Sequence, residues 1–120
     1  ALRRATNLGD ELARGYQDTV KDAKLKATVQ WKGLSGALLF TEREVANWRD
    51  FLSCNLGQWW TYFIAMMNRG VIPVATGQDE QWTVSVQHTK EDISKHLETF
   101  GKVASSLQKV DLQMPVVEAL

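Results

Sequence analysis

The chain has 120 residues and a mass of 13.6 kDa, and 44% of it is hydrophobic, which suits one domain with a real core. Fourteen basic residues balance fourteen acidic ones, and a formal net charge of +0 offers no footprint for nucleic acid and no attraction to an anionic membrane. No apolar run approaches the ~20 residues of a membrane span, no signal peptide is recognisable, and the single cysteine, Cys54, excludes an internal disulfide, so a soluble cytoplasmic domain is expected.

Leu2, Ala5, Leu8, Leu12, Tyr16 and Val20 recur at intervals of three and four, the stripe of an amphipathic helix. This helix is running from the first residue, with no initiating Met and no capping residue before Leu2, which predicts that the natural polypeptide continues upstream. Lys21 to Lys26 reads as a solvated connection. Val29 and Trp31 then alternate with Thr28 and Gln30 in a strand predicted over 27–32, and a second β-like run follows at Ala37 to Phe40. Gly33 and Gly36 between them predict a hairpin with a glycine-dependent turn. Thr41 and Glu44 have the spacing of a capping box, predicting a short helix through Val45, Trp48 and Leu52. Asn55 and Gln58 approximate the same device for a helix carrying Leu56, Trp59, Trp60, Phe63 and Met67, with Gly70 at its left-handed C-terminal cap.

Val71 to Val74 reads as an extended edge segment because Pro73 cannot donate to a ladder. A polar loop at Thr76 to Gln81 leads into a strand predicted over Trp82 to Gln87. Thr89 with Asp92 then signals a last helix striped by Ile93, Leu97, Phe100, Ala104 and Leu107. The order predicts an α+β fold, a small and mostly antiparallel sheet with helices packed on one face. The domain is expected over residues 1–110, with a C-terminal tail at 111–120.

No local spacing assembles a catalytic or metal-binding set. His88 and His96 lack the i, i+4 spacing of a zinc-binding pair, so His88 is expected to shape the strand-to-helix junction and His96 to lie on a solvated face. Cys54 has no neighbouring His or Lys to activate it and reads as buried or inert. Of the five tryptophans, Trp31, Trp48, Trp59 and Trp82 are placed on inner faces. Trp60 points about 100° away from Trp59, so it and the first helix are expected to present apolar surface to another domain or subunit. Asp79 and Glu80, flanked by Gln78 and Gln81, read from the residues alone as a surface loop.

Three segments carry a resemblance. Arg69-Gly70-Val71-Ile72-Pro73, then Glu80 through Thr89, then Glu91-Asp92-Ile93 together resemble the C-terminal small domain of class III pyridoxal-phosphate-dependent aminotransferases, in the glutamate-1-semialdehyde aminomutase-like branch. The upstream helix at Asn7 to Tyr16, the strand at Gly36 to Thr41 and the start at Arg43-Glu44-Val45 agree in order. Gln81 and Thr83 depart from the pattern, standing where the family has a small and an aromatic residue.

The resemblance implies a small domain that closes over a pocket formed mainly by an upstream large domain of the same polypeptide. That large domain would hold the Schiff-base lysine and most contacts to pyridoxal phosphate, so no cofactor is expected on this chain alone. It further implies a homodimer, an amino-acid substrate, and Glu80 as the one substrate-binding residue of this segment, with no catalytic residue here. The alternative expectation is a free-standing α+β ligand-binding or dimerisation module.

Overall fold

The computed structural model describes residues 1–73, 77–78 and 81–109. Helix α1 spans Leu2–Asp22, strands β1 and β2 span Thr28–Lys32 and Ser35–Leu39, and helices α2 and α3 span Trp48–Leu52 and Leu56–Asn68. Strand β3, Trp82–Thr83, and helix α4, Lys90–Leu107, complete the set. The sheet is antiparallel in the order β1-β2-β3. The expected α+β architecture is therefore present, with three strands and four helices among the described residues.

Strands β1 and β2 pair from Thr28↔Leu39 to Lys32↔Ser35, so Gly33 and Leu34 form the two-residue turn. Gly33 alone of the two has a positive φ, 58°, the pattern of a type II′ turn that matches the twist of its strands. Helix α1 lays its stripe over this hairpin on one side and against α4 on the other, and α4 also packs against α3. Tyr16 sits fully buried at the centre, stacked on Phe100 at 3.9 Å between ring centroids and 4.7 Å from the ring of Trp82. Because that stripe is covered, α1 leaves only Leu2 as a large exposed apolar residue, not the open face expected for it.

Helix ends follow local chemistry. The Thr89–Asp92 capping box is complete, with Asp92 N–H donating to the Thr89 hydroxyl at 3.2 Å and Thr89 N–H donating to the Asp92 carboxylate at 2.8 Å. Asn55 caps α3 by accepting from Gln58 N–H at 3.1 Å. At the other end of α3, Gly70 N–H donates to the Met67 carbonyl and Val71 N–H to that of Met66, both at 3.0 Å. This is a Schellman motif, and Gly70 takes the positive φ, 89°, that it requires.

Other expectations need correction. Thr41 and Glu44 open no helix: the Thr41 hydroxyl accepts from Arg43 N–H two residues on, and Gln30 draws the Val45 carbonyl toward β1 at 2.7 Å. The cap is Asn47, whose side chain accepts from Asp50 N–H at 2.9 Å, while Asp50 accepts from Ala46 N–H at 3.1 Å. Trp48 consequently lies at the first position of a one-turn helix, 64% exposed and stacked on Phe51, outside the core. Trp31 is half-buried and donates to Asp10 on α1 at 2.8 Å, while Trp59 and Trp82 are buried as expected. Val71 to Pro73 forms no strand, and Val74 lies outside the described residues. The first helix continues through Lys21 and Asp22 before its connection begins.

Strand β3 is far shorter than the expected Trp82–Gln87. Ser35 pairs with Thr83, so the hairpin turn at Gly33-Leu34 ends the ladder there, and Val84 N–H makes a last bond to the Leu34 carbonyl at 2.8 Å. The chain then turns: His88 N–H donates to the Ser85 carbonyl at 3.1 Å, and Ser85 N–H donates to His88 Nδ1 at 2.8 Å. No helix among the described residues is long and apolar enough to cross a membrane.

Candidate functional site

A cavity of about 440 Å³ opens where the Schellman end of α3, strand β3 and the first half of α4 converge. Gly70 to Pro73 form one wall, Gln81 to Val84 a second, and His88, Asp92, Lys95 and His96 a third. Leu12, Tyr62 and Ile93 add apolar surface. Cysteine 54 is elsewhere and fully buried, and burial together with the neighbouring Asp50 pushes its thiol pKa up, as suits the inert role expected of it.

The third wall is fixed by its junction with β3. His88 shapes that junction as expected, its ring accepting from Ser85 N–H, and Arg4 on α1 donates to the carbonyls of Val86 at 3.2 Å and His88 at 2.9 Å. Sequence reading passed over Arg4, which lies more than eighty positions away from its partners. The bond from Thr89 N–H, followed by that from its hydroxyl, holds the Asp92 carboxyl below its usual range.

His96 corrects the solvated placement expected of it. It is half-buried, and its Nε2 lies 2.6 Å from the Tyr16 hydroxyl, which in turn shares a hydrogen bond of 2.7 Å with the Tyr62 hydroxyl. Burial first, and the charge of His88 second, lower the His96 pKa to about 4, so the ring is neutral at pH 7. Tyr16 and Tyr62 are raised above the ordinary phenol value, chiefly by burial, and stay protonated. The knot therefore joins α1, α3 and α4 without a net charge. The sequence did contain a signal: His96 is three residues after Ile93 and four before Phe100, on the apolar stripe itself.

Gln81 is the other residue whose role was missed. Expected in a polar loop, it is only 3% exposed, and its side-chain amide hydrogen-bonds both main-chain groups of Leu38. Leu38 N–H donates to Oε1 at 2.8 Å, while Nε2 donates to the Leu38 carbonyl at 2.6 Å and to the Gln78 carbonyl at 2.8 Å. Glu80, the expected substrate contact, and Asp79 lie outside the described residues.

The cofactor that the resemblance implies needs an enclosed lysine to hold it as an imine. Lys21, Lys24, Lys26, Lys32, Lys90, Lys95, Lys102 and Lys109 are all exposed, Lys95 at the edge of the cavity, and none is enclosed as a persistent imine requires. The described residues therefore do not by themselves fit pyridoxal phosphate. Nor do they contain a group of three or more His, Cys, Asp or Glu side chains able to hold a metal ion. What the cavity offers is a mixed lining of polar and apolar side chains, of the kind that suits a ligand pocket.

No protein-family profile matches the chain. It is 33% identical over 94 residues to a glutamate-1-semialdehyde 2,1-aminomutase of Clostridium perfringens, a match covering 78% of this chain and 22% of that protein. A second enzyme of this name, from Thermomicrobium roseum, is 27% identical over 106 residues, covering 88% of this chain and 24% of the relative. The chain thus spans about a quarter of the length of the curated relatives it matches. Among solved structures, an omega-transaminase from Sphaerobacter thermophilus superposes with a TM-score of 0.76 over 91% of this chain and 24% of that one, at 17% identity, which shows the fold. Over most of its length, therefore, this α+β chain is homologous to part of the glutamate-1-semialdehyde 2,1-aminomutases.

Proposed function

We propose that the chain acts as the small domain, residues 1–110 with a tail at 111–120, of a pyridoxal-phosphate-dependent aminotransferase or aminomutase. It closes over a substrate pocket built mainly by a large domain preceding it in the same polypeptide. The carrying observation is the breadth of the match on one side only: more than three-quarters of this chain aligns with less than a quarter of a 33%-identical relative. Exposure of every lysine supports placing the Schiff-base residue in the large domain, along with the electron-sink chemistry that pyridoxal phosphate supplies when bound. The chain's own contribution is to shape and close the pocket. Glu80 is its substrate contact, a carboxylate that orients a cationic group of an amino-acid substrate, and the working enzyme is a cytoplasmic homodimer.

The test uses the complete polypeptide encoded with this segment, assayed for cofactor absorbance and for aminomutase and amino-transfer activity. Glu80→Gln keeps size and hydrogen bonding but removes the charge, so kcat/KM should fall about ten- to a hundredfold with an unchanged melting temperature. The isolated 120 residues should form no saturable imine and transfer no amino group. A stoichiometric imine on one lysine of the isolated chain, or a complete polypeptide without pyridoxal phosphate, would overturn the reading.

A further inference from the structure

The end of β3 is completed by a side chain. Among the described residues, backbone pairing between β2 and β3 covers Ser35↔Thr83 and Gly36↔Trp82, and the N–H and carbonyl of Leu38, which face the β3 side, meet the Gln81 side chain. The amide of Gln81 offers Oε1 to the N–H and Nε2 to the carbonyl, just as a peptide group of a neighbouring strand would. Its remaining N–H ties the Gln78 carbonyl, so both amide hydrogens are used. Gln78 is itself 3% exposed, and among the described residues its side-chain amide has no hydrogen-bond partner.

Gln81 is also part of the cavity wall, directly before Trp82, whose indole lies so close over Gly36 that a Cβ there would strike the ring. We infer that Gln81 is a positioning residue of this cavity: its amide anchors the β3 wall to Leu38 and ties Gln78 to it. This deepens the proposed function and rests on it for the link to substrate. The anchor itself rests on the hydrogen bonds alone. Because Gln81 acts through the main chain, its loss should loosen substrate binding more than it slows the reaction.

The experiment compares Gln81→Ala, Gln81→Met and, as a destabilised control away from the cavity, Asn47→Ala. Gln81→Met keeps much of the volume without the hydrogen bonds, so it isolates the anchor should the alanine variant fold poorly. Amide exchange at Leu38 should accelerate at least about tenfold in both Gln81 variants and stay unchanged in Asn47→Ala. In the complete enzyme, KM should rise about tenfold in Gln81→Met with kcat altered less than about twofold, whereas Asn47→Ala should leave both in place. Unchanged Leu38 exchange overturns the anchor, and an equal rise of KM in Asn47→Ala overturns the positioning role. A wild-type polypeptide without aminotransferase or aminomutase activity would defeat the functional reading instead, and Leu38 exchange would still decide whether Gln81 anchors the wall.

Discussion

Tyr16, Tyr62 and His96 join three helices through side chains alone, whereas Gln81 joins the cavity wall to β2 by bonding main-chain groups. Both knots are buried polar contacts flanking the same cavity, yet they answer to different forces. The helix knot contains three titratable groups kept neutral by burial, so it depends on pH and on the packing of the rings around it. The strand knot holds no titratable group. It depends on the reach of a single amide and should be indifferent to pH over the same range.

The largest expected effect breaks the helix knot by removing its centre. Tyr16→Ala deletes the ring stacked on Phe100 as well as the shared hydroxyl, and a large aromatic lost from a closed core costs about 3–5 kcal/mol. Tyr16→Phe keeps the stack and strands the Tyr62 hydroxyl and His96 Nε2, at a cost of about 1–3 kcal/mol. Denaturant titration of both variants separates packing from hydrogen bonding, and equal losses would mean the hydroxyl contributes nothing.

Acid should sharpen the contrast between the knots. The His96 pKa falls from 6.5 to about 4 in the folded chain, so between these values the unfolded state binds a proton that the folded state refuses. Stability is therefore fully present above pH 6.5 and falls as pH drops toward 4, with a slope of at most about 1.4 kcal/mol per pH unit. The groups facing His96 are the Tyr16 hydroxyl from α1, the Tyr62 hydroxyl from α3 by way of Tyr16, and His88 before α4. Asp92, lowered from 3.8, loses its contribution only below that value and so falls outside this window. Unfolding free energies measured from pH 7 to 4 should show the slope in wild type and lose most of it in His96→Phe. A slope retained in that variant would assign it to another group.

The two knots were not equally legible in the sequence. Tyr16 and His96 sit on apolar stripes whose period is written along α1 and α4, so each could have been placed against the other once the helices were paired. His96 was misread because exposed Lys95 and Glu98 flank it and its own polarity suggested a solvated face. Gln81 had no such period. A glutamine that completes a sheet by bonding Leu38, more than forty residues away, leaves no pattern in its neighbourhood, and only the end of the β2–β3 ladder reveals why it is needed. The shortness of β3 was hidden for a related reason: its β-branched composition suits a strand, but the register that ends its pairing is set by the distant Gly33-Leu34 turn.

A smaller effect distinguishes the true start of α2 from the one that spacing alone suggested. Asn47→Ala removes the acceptor for Asp50 N–H and should cost about 1 kcal/mol. Glu44→Ala removes an exposed side chain outside any helix and should change stability by less than about 0.5 kcal/mol. Melting of the two variants under identical conditions decides it, and the reverse order would restore a helix beginning near Thr41.

The smallest effect on stability belongs to the face that neither knot touches. Trp60, Ile64 and Met67 recur at i, i+4 and i+7 along α3 and are 37%, 53% and 42% exposed, while Trp59, Phe63 and Met66 fill the core on the adjoining face, about 100° around the helix. An apolar stripe left exposed on a well-anchored helix is expected to associate. Ile64→Lys should therefore leave the unfolding free energy within about 0.5 kcal/mol of wild type, because the side chain gives up little burial inside the domain. It should nevertheless alter how the chain behaves as concentration rises. Sedimentation of the isolated chain at several concentrations should show a weight-average mass that climbs in wild type and stays at that of the monomer in Ile64→Lys. A wild-type chain monomeric at every concentration would remove self-association through α3 and leave that face to a different domain.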